Sequence, residues 1–142
     1  MSELKNTTPV LGETVLRRDH LLGRPNPRTR LDYVVLLEVS KNIADLSAMA
    51  QFRICYVPDQ LIITPESFDD YLLELGADAF ESIEQISACV LDDINNQIVP
   101  RWVQVGVTGQ RTDLSLGTHS VMIEDRQPNW DNPSLLARFA KY

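Results

Sequence analysis

The chain has 142 residues, of which 44% are hydrophobic and 23% charged, a composition typical of a single globular domain with a buried core. Its formal net charge of −7 argues against binding to duplex nucleic acid or to an anionic membrane, both of which need a positively charged surface. No apolar run approaches the roughly 20 residues that span a bilayer. The N-terminus has no signal-peptide pattern and the only cysteines are Cys55 and Cys89, so we predict a cytoplasmic protein with reduced thiols.

Residues 1–30 are predicted to form a mobile or surface-wrapped arm. They are largely polar and include a turn-forming run at 23–27. Their distinctive feature is a basic cluster, which consists of Arg17, Arg18, Arg24, Arg28 and Arg30. Two interpretations of this cluster stay open, pairing with acidic neighbours of the same protein and contact with an anionic ligand.

Three strands are predicted before the first helix. Tyr33–Val39 is aliphatic and β-branched, and Phe52–Tyr56 alternates between apolar and polar residues. Residues 40–47 are predicted to be a turn or loop. A tight turn at 57–60 then makes Leu61–Ile63 the expected return strand of a hairpin.

Two consecutive helices follow. Thr64 and the proline after it predict the start of the first helix, and Gly76 predicts its end. Asp78 and Glu81 form a capping-box pattern that predicts the start of the second helix, which Pro100 ends. Each helix is apolar on one face, along Phe68, Tyr71, Leu72 and Leu75 in the first and Phe80, Ile83, Val90, Leu91, Ile94 and Ile98 in the second.

Two more strands and a short helix complete the chain. The strands are Trp102–Val107 and His119–Glu124, with a loop at 108–117 between them, and Asn132 begins the terminal helix. The order ββ(β)ααββ predicts an α+β fold in which two helices pack on one face of an antiparallel sheet. The predicted organisation is an arm at 1–30, a domain at 31–125 and a C-terminal extension with a short helix at 126–142.

Common chemical motifs do not appear. The six glycines fit no phosphate-binding loop, and neither histidine has the spacing of a metal ligand, so no metal site is predicted. His119 is expected to have a surface or interface role. The neighbouring carboxylates Asp92 and Asp93 are expected to lie on the solvated face of the second helix.

The two thiols have different expected environments. Cys89 lies near the apolar stripe of the second helix and is interpreted as a small core residue. Cys55 lies beside Arg53, whose charge could lower the pKa of the thiol, and packing within the strand is the other interpretation.

Several segments resemble one known family. The run Asn26–Glu38 resembles the first strand of the 7-cyano-7-deazaguanine reductases, the nitrile reductases of queuosine biosynthesis. Further similar segments, in matching order and spacing, are Tyr56–Asp59, Glu66-Ser67, Tyr71-Leu72, Leu91–Ile94 and Pro100–Trp102. The resemblance covers residues 26 to 124. It implies a tunnelling fold, whose subunits assemble into a homo-oligomeric ring with the strands forming a barrel.

The resemblance also implies a ligand. Family members bind purine- or pterin-like rings in pockets between subunits, anchored by a glutamate to which Glu84 is the closest match. A carboxylate can accept two hydrogen bonds from the N–H edge of such a ring. The other interpretation is that a glutamate in a helix's first turns serves the helix dipole and solvent. By the same resemblance, Glu66, Ser67 and Arg111 match positions of the family's NADPH segment.

The departures from the family concern its chemistry. The reductases carry a nucleophilic cysteine and then an acidic aspartate between the first two strands, and hydride from NADPH reduces the thioimide that the thiolate forms. Here residues 40–50 are shorter and contain no cysteine, although Asp45 is a candidate remnant of the acid and Cys55 a candidate thiol. Ile83 stands where the family has a histidine, and the cofactor lysines are replaced by Phe68, Asp69 and Asp70, whose acids would repel a phosphate.

Three functional hypotheses follow. The first is a divergent family member that binds a deazapurine, purine or pterin at Glu84, and any activity would be that of an NADPH-dependent nitrile reductase. The second is a non-catalytic assembly or binding module on the same fold. The third is an unrelated reaction on this scaffold, with Asp45, His119 and Cys55 as candidate groups.

Overall fold

The computed structural model describes residues 16–43, 48–111 and 117–140. These ranges contain six strands, three α-helices and one 3₁₀ turn. In chain order they are the 3₁₀ turn Arg17–His20, β1 Gly23–Pro25, β2 Val35–Ile43, β3 Ala48–Val57, β4 Leu61–Ile63, α1 Pro65–Ala77, α2 Ile83–Gln97, β5 Trp102–Arg111, β6 Thr118–Arg126 and α3 Pro133–Phe139.

The main sheet has four antiparallel strands in the order β2-β3-β5-β6. Alternate residues of β3, such as Phe52, Ile54 and Tyr56, are fully buried on one face of this sheet. They share one core with the apolar faces of the two long helices, including Tyr71 of α1 and Ile94 of α2. The predicted α+β fold, with two helices on one face of an antiparallel sheet, is therefore confirmed, and it has the arrangement of a tunnelling-fold subunit.

The start of α1 is confirmed and that of α2 is corrected. Thr64 caps α1, its hydroxyl accepting a hydrogen bond from the backbone N–H of Ser67 at 3.3 Å. Asp78 does not begin α2 but ends α1, with its N–H bonded to Leu75. Ser82 caps α2 instead, accepting from the N–H of Gln85 at 3.1 Å. The spacing Ser82-x-x-Gln85 is itself that of a capping box.

Two predicted loops are partly strand. Residues 40–43 pair with 48–51 and extend β2, while residues 108–111 extend β5. The polar residues Ser40 and Asn42 are exposed, which is compatible with a strand because alternate side chains point away from the core. Asp45 lies outside the described residues.

The predicted hairpin at Leu61–Ile63 is wrong. This segment pairs with Gly23–Pro25 of the arm rather than with β3. Both edges of β3 are already occupied, by β2 on one side and β5 on the other, so no edge is free for a return strand.

The first part of the described arm, residues 16–22, lies along α1, and residues 23–25 pair with β4. Leu21 is 2% exposed, and the hydroxyl of Ser67 accepts a hydrogen bond from the N–H of Leu22 at 3.1 Å. Arg17 bonds two carboxylates, Asp78 and Asp93. Within the basic cluster Arg17 therefore pairs with acidic neighbours.

The expectation that Asp92 and Asp93 are both solvated is wrong for Asp93. Asp92 is exposed, but Asp93 is only 4% exposed. Its Oδ2 accepts hydrogen bonds from Arg17 Nε at 2.8 Å and from the Tyr71 hydroxyl at 2.6 Å. The polar side of α2 is covered here by the arm and α1, which the periodicity of α2 alone does not reveal.

The terminal helix α3 lies on the opposite face of the sheet from α1 and α2. Its apolar residues Leu135, Leu136 and Phe139 pack against a second cluster formed by Cys55, Val57 and Trp102. The rest of this face, which we call the open face, carries no helix within the described residues. No helix in the described ranges is both long and apolar enough to cross a membrane.

Candidate functional site

The predicted ligand anchor Glu84 lies at one end of the sheet, in the first turn of α2. Its Oε2 is 3.2 Å from Nε2 of His119, which projects from β6. Both side chains are more than half exposed, at 61% and 53%. The structure thus brings together two residues that sequence reasoning treated separately, an acceptor and a titratable ring open to solvent.

A glycine fixes the position of this pair. Gly109 of β5 pairs with His119, and a Cβ atom at Gly109 would come within 2.9 Å of the Cδ1 atom of Ile83. The missing side chain therefore lets Ile83, the residue before Glu84, rest on the strand beside His119. A glycine inside a strand pattern often marks such a close approach, which is the signal that could have located this contact.

The other predicted site residues fall into two groups. Arg111 ends β5 at the same end of the sheet as Glu84, whereas Asp45 lies outside the described residues. Glu66 and Ser67 lie in the first turn of α1, whereas Glu84 follows the last turn of this helix in the chain. The 13 residues of α1, at about 1.5 Å each, span about 20 Å. A single chain therefore does not place them beside Glu84.

The thiols are in environments that favour the protonated form. Cys55 is 1% exposed, and burial raises its pKa more than the charge of Arg53 lowers it, so the expected lowering is outweighed. Burial, and then the charge of Asp93, raises the pKa of Cys89 to about 11. Because the thiolate is the nucleophile, neither cysteine is activated in this structure. In the described ranges, no three His, Cys, Asp or Glu residues are grouped so that they could hold a metal ion.

Fold and site together define an α+β protein with the arrangement of the tunnelling fold and an exposed glutamate–histidine pair at one end of its sheet. No family model matches the chain. It is 29% identical over 119 residues to the NADPH-dependent 7-cyano-7-deazaguanine reductase of Acidithiobacillus ferrooxidans, in each of two strains. The match covers 80% of this chain and 82% of the relative. This identity supports a relation to the reductases.

Proposed function

We propose that the chain is a divergent relative of the 7-cyano-7-deazaguanine reductases that binds a deazapurine, purine or pterin ring through Glu84. The observation that carries the proposal is the exposed Glu84–His119 pair. His119 approaches Oε2, and Oε1 of Glu84 has no hydrogen-bond partner among the described residues. A carboxylate open to solvent is suited to the N–H edge of such a ring, because hydrogen bonds to a carboxylate acceptor are stronger than those to a neutral one.

A second subunit completes the pocket in this proposal. The outer strands of the main sheet, β2 and β6, are each nine residues long and have no partner on their outer edges within the described ranges. Long unpaired edges favour pairing with another chain. Since His119 lies on β6, pairing at that edge would bring a neighbouring subunit next to Glu84.

The proposed function is binding without nitrile reduction. Thiolate addition to a nitrile needs an accessible, activated cysteine, whereas Cys55 is buried under α3 and Cys89 has a raised pKa. The positions that would hold NADPH also fit it poorly. The Ser67 hydroxyl is bonded to Leu22, and the nearby cation Lys41 pairs with Asp69 at 2.6 Å.

The test is thermal stabilisation by 7-cyano-7-deazaguanine, guanine and pterin, each against the wild type and Glu84→Gln. A ligand whose concentration is 100 times its Kd raises the free energy of unfolding by about 2.7 kcal/mol, which raises Tm by roughly 5–10 °C in a chain of this size. Glu84→Gln should abolish the shift. The matched control Glu81→Gln, an exposed glutamate just before α2, should keep it. A shift that survives Glu84→Gln would show that the anchor lies elsewhere, and NADPH consumption with the cyano compound would contradict the loss of turnover.

The second candidate is a non-catalytic assembly module. The unpaired edges of β2 and β6 favour it independently of any ligand. It predicts a stable oligomer in size-exclusion chromatography with light scattering, together with no stabilisation by any of the three ring compounds.

A further inference from the structure

The open face of the sheet carries a trough that runs along β5. Its floor is formed by two residues of β5. Gly106 lies between Arg53 of β3 and Met122 of β6, and Gln104 lies between Cys55 of β3 and Glu124 of β6. A cavity of about 370 Å³ occupies one end, and a second of about 250 Å³ continues beyond Arg53 and Met122, which line both. The larger cavity alone falls within the range of small-molecule sites.

The closed end of the trough is aromatic. Phe139 of α3 packs edge-on against Trp102 with 6.0 Å between the ring centroids, and the Arg53 guanidinium lies 5.6 Å from the Phe139 ring. At Gly106 the floor has no side chain, and an added Cβ would touch the terminal methyl of Met122 at 3.5 Å. This absence leaves a narrow stretch of bare backbone between the side chains of Arg53 and Met122.

Polar groups converge on this space with unused hydrogen-bonding capacity. Trp102 Nε1 and Arg126 Nη2 both donate to Oε2 of Glu124, at 3.0 and 2.9 Å. Within the described part of the chain, Oε1 of Glu124, the Gln104 amide and the terminal nitrogens of Arg53 form no hydrogen bond. The cavity therefore offers an anionic acceptor, a group that both donates and accepts, and cationic donors.

The charged groups around the cavity are already paired. Arg53 lies 3.7 Å from Glu38, and Arg126 pairs with both Glu124 and Asp131. A neutral ligand therefore suits the cavity better than an anion or a cation. The bare backbone at Gly106 and the aromatic end favour a planar ring, and the polar groups require both an N–H donor and a carbonyl acceptor on it.

We propose that this trough is a binding site for a small, neutral, planar heterocycle with a cyclic-amide edge, its N–H donating to Glu124 and its carbonyl accepting from Gln104 or Arg53. The site is separate from Glu84. Glu84 and His119 lie on the helix-covered side of the sheet, whereas Gln104 and Glu124 face the open side. The proposal therefore does not depend on the function assigned to Glu84.

The test is an amide-resolved NMR titration of the full chain with uracil, and with 1,3-dimethyluracil as the matched probe that lacks N–H donors. Uracil should give saturable shifts at the backbone amide of Gly106 and the side-chain amide of Gln104. Dimethyluracil should bind at least about tenfold more weakly, as expected when a hydrogen bond to a charged group is lost. Equal binding of both compounds, or no saturable shift with uracil, would overturn the proposal.

Variants identify the site. Gln104→Leu should weaken uracil binding about tenfold, because one hydrogen bond to the ring is lost. It should preserve the fold, because the Gln104 amide forms no hydrogen bond with other described residues. Glu124→Gln should weaken it at least as much, since Trp102 and Arg126 keep the remaining oxygen on their side and turn the NH₂ group toward the cavity. Asn42→Leu, at an exposed position on the same face that lines neither cavity, should bind as the wild type does. If Glu84→Gln abolishes the uracil shifts and Gln104→Leu does not, the ring belongs to the Glu84 site and the trough proposal is wrong.

Discussion

Asp93 should be among the most sensitive polar positions of this fold. It is 4% exposed and accepts bonds from Arg17 and Tyr71, which join the arm and α1 to α2. Asp93→Ala leaves both donors without this acceptor. Breaking a buried ion pair costs about 3–5 kcal/mol. We expect the lower end, about 3 kcal/mol, because the Arg17 side chain is 23% exposed and keeps its bond to Asp78.

The assay is thermal or urea unfolding followed by circular dichroism. A loss of about 3 kcal/mol lowers Tm by roughly 6–12 °C in a chain of this size. Asp93→Asn should lower the free energy of unfolding by only about 1.5 kcal/mol, since the amide oxygen can still accept a hydrogen bond from Tyr71 although the charge is removed. The control Asp92→Ala, at the exposed neighbouring position, should stay within about 0.5 kcal/mol of wild type.

A double-mutant cycle tests the cause. Arg17→Ala combined with Asp93→Ala should cost less than the sum of the single variants by about 1–2 kcal/mol, because each alone removes the same bond. Additive losses, or equal losses for Asp93→Ala and Asp92→Ala, would refute the assignment of Asp93 as the buried link between arm and helices.

Three further predictions concern the two faces of the sheet. Gly109→Ala should destabilise the fold by about 1 kcal/mol in urea unfolding, because its new Cβ would lie 2.9 Å from an isoleucine of α2, whereas Gly106→Ala meets nothing closer than 3.5 Å and should be nearly neutral. Phe139→Ala should loosen α3 and speed labelling of Cys55 by a thiol reagent at least tenfold, and an unchanged rate would mean that α3 does not shield this thiol. Hydrogen bonds from Trp102 and Arg126 hold the pKa of Glu124 below its ordinary value of 4.5. The ionised Glu124 therefore stabilises the fold above pH 4.5, and this contribution is lost as the pH falls through the lowered pKa. The difference in free energy of unfolding between wild type and Glu124→Gln should accordingly shrink on acidification.

The amino-acid sequence determined the features of this protein that depend on neighbouring residues. Thr64 caps α1 because its hydroxyl needs to reach only three residues along the chain. The alternation around Phe52 and the stripe through Tyr71 set which face of each element is buried. These local patterns were sufficient for the order of the long strands and helices and for the α+β class, since strand and helix periods differ. They did not reveal the 3₁₀ turn Arg17–His20 or the strand Gly23–Pro25.

Only the tertiary structure decided which distant segments meet. It paired Leu61–Ile63 with the arm, buried Asp93 beneath Arg17, and brought His119 to Glu84 across 35 positions of sequence. The physical reason is that a strand edge or a carboxylate accepts many partners equally well, and the packing of the whole chain selects one. The position of α3 beside the open face, which shapes the trough, was likewise set by contacts between residues far apart in the chain.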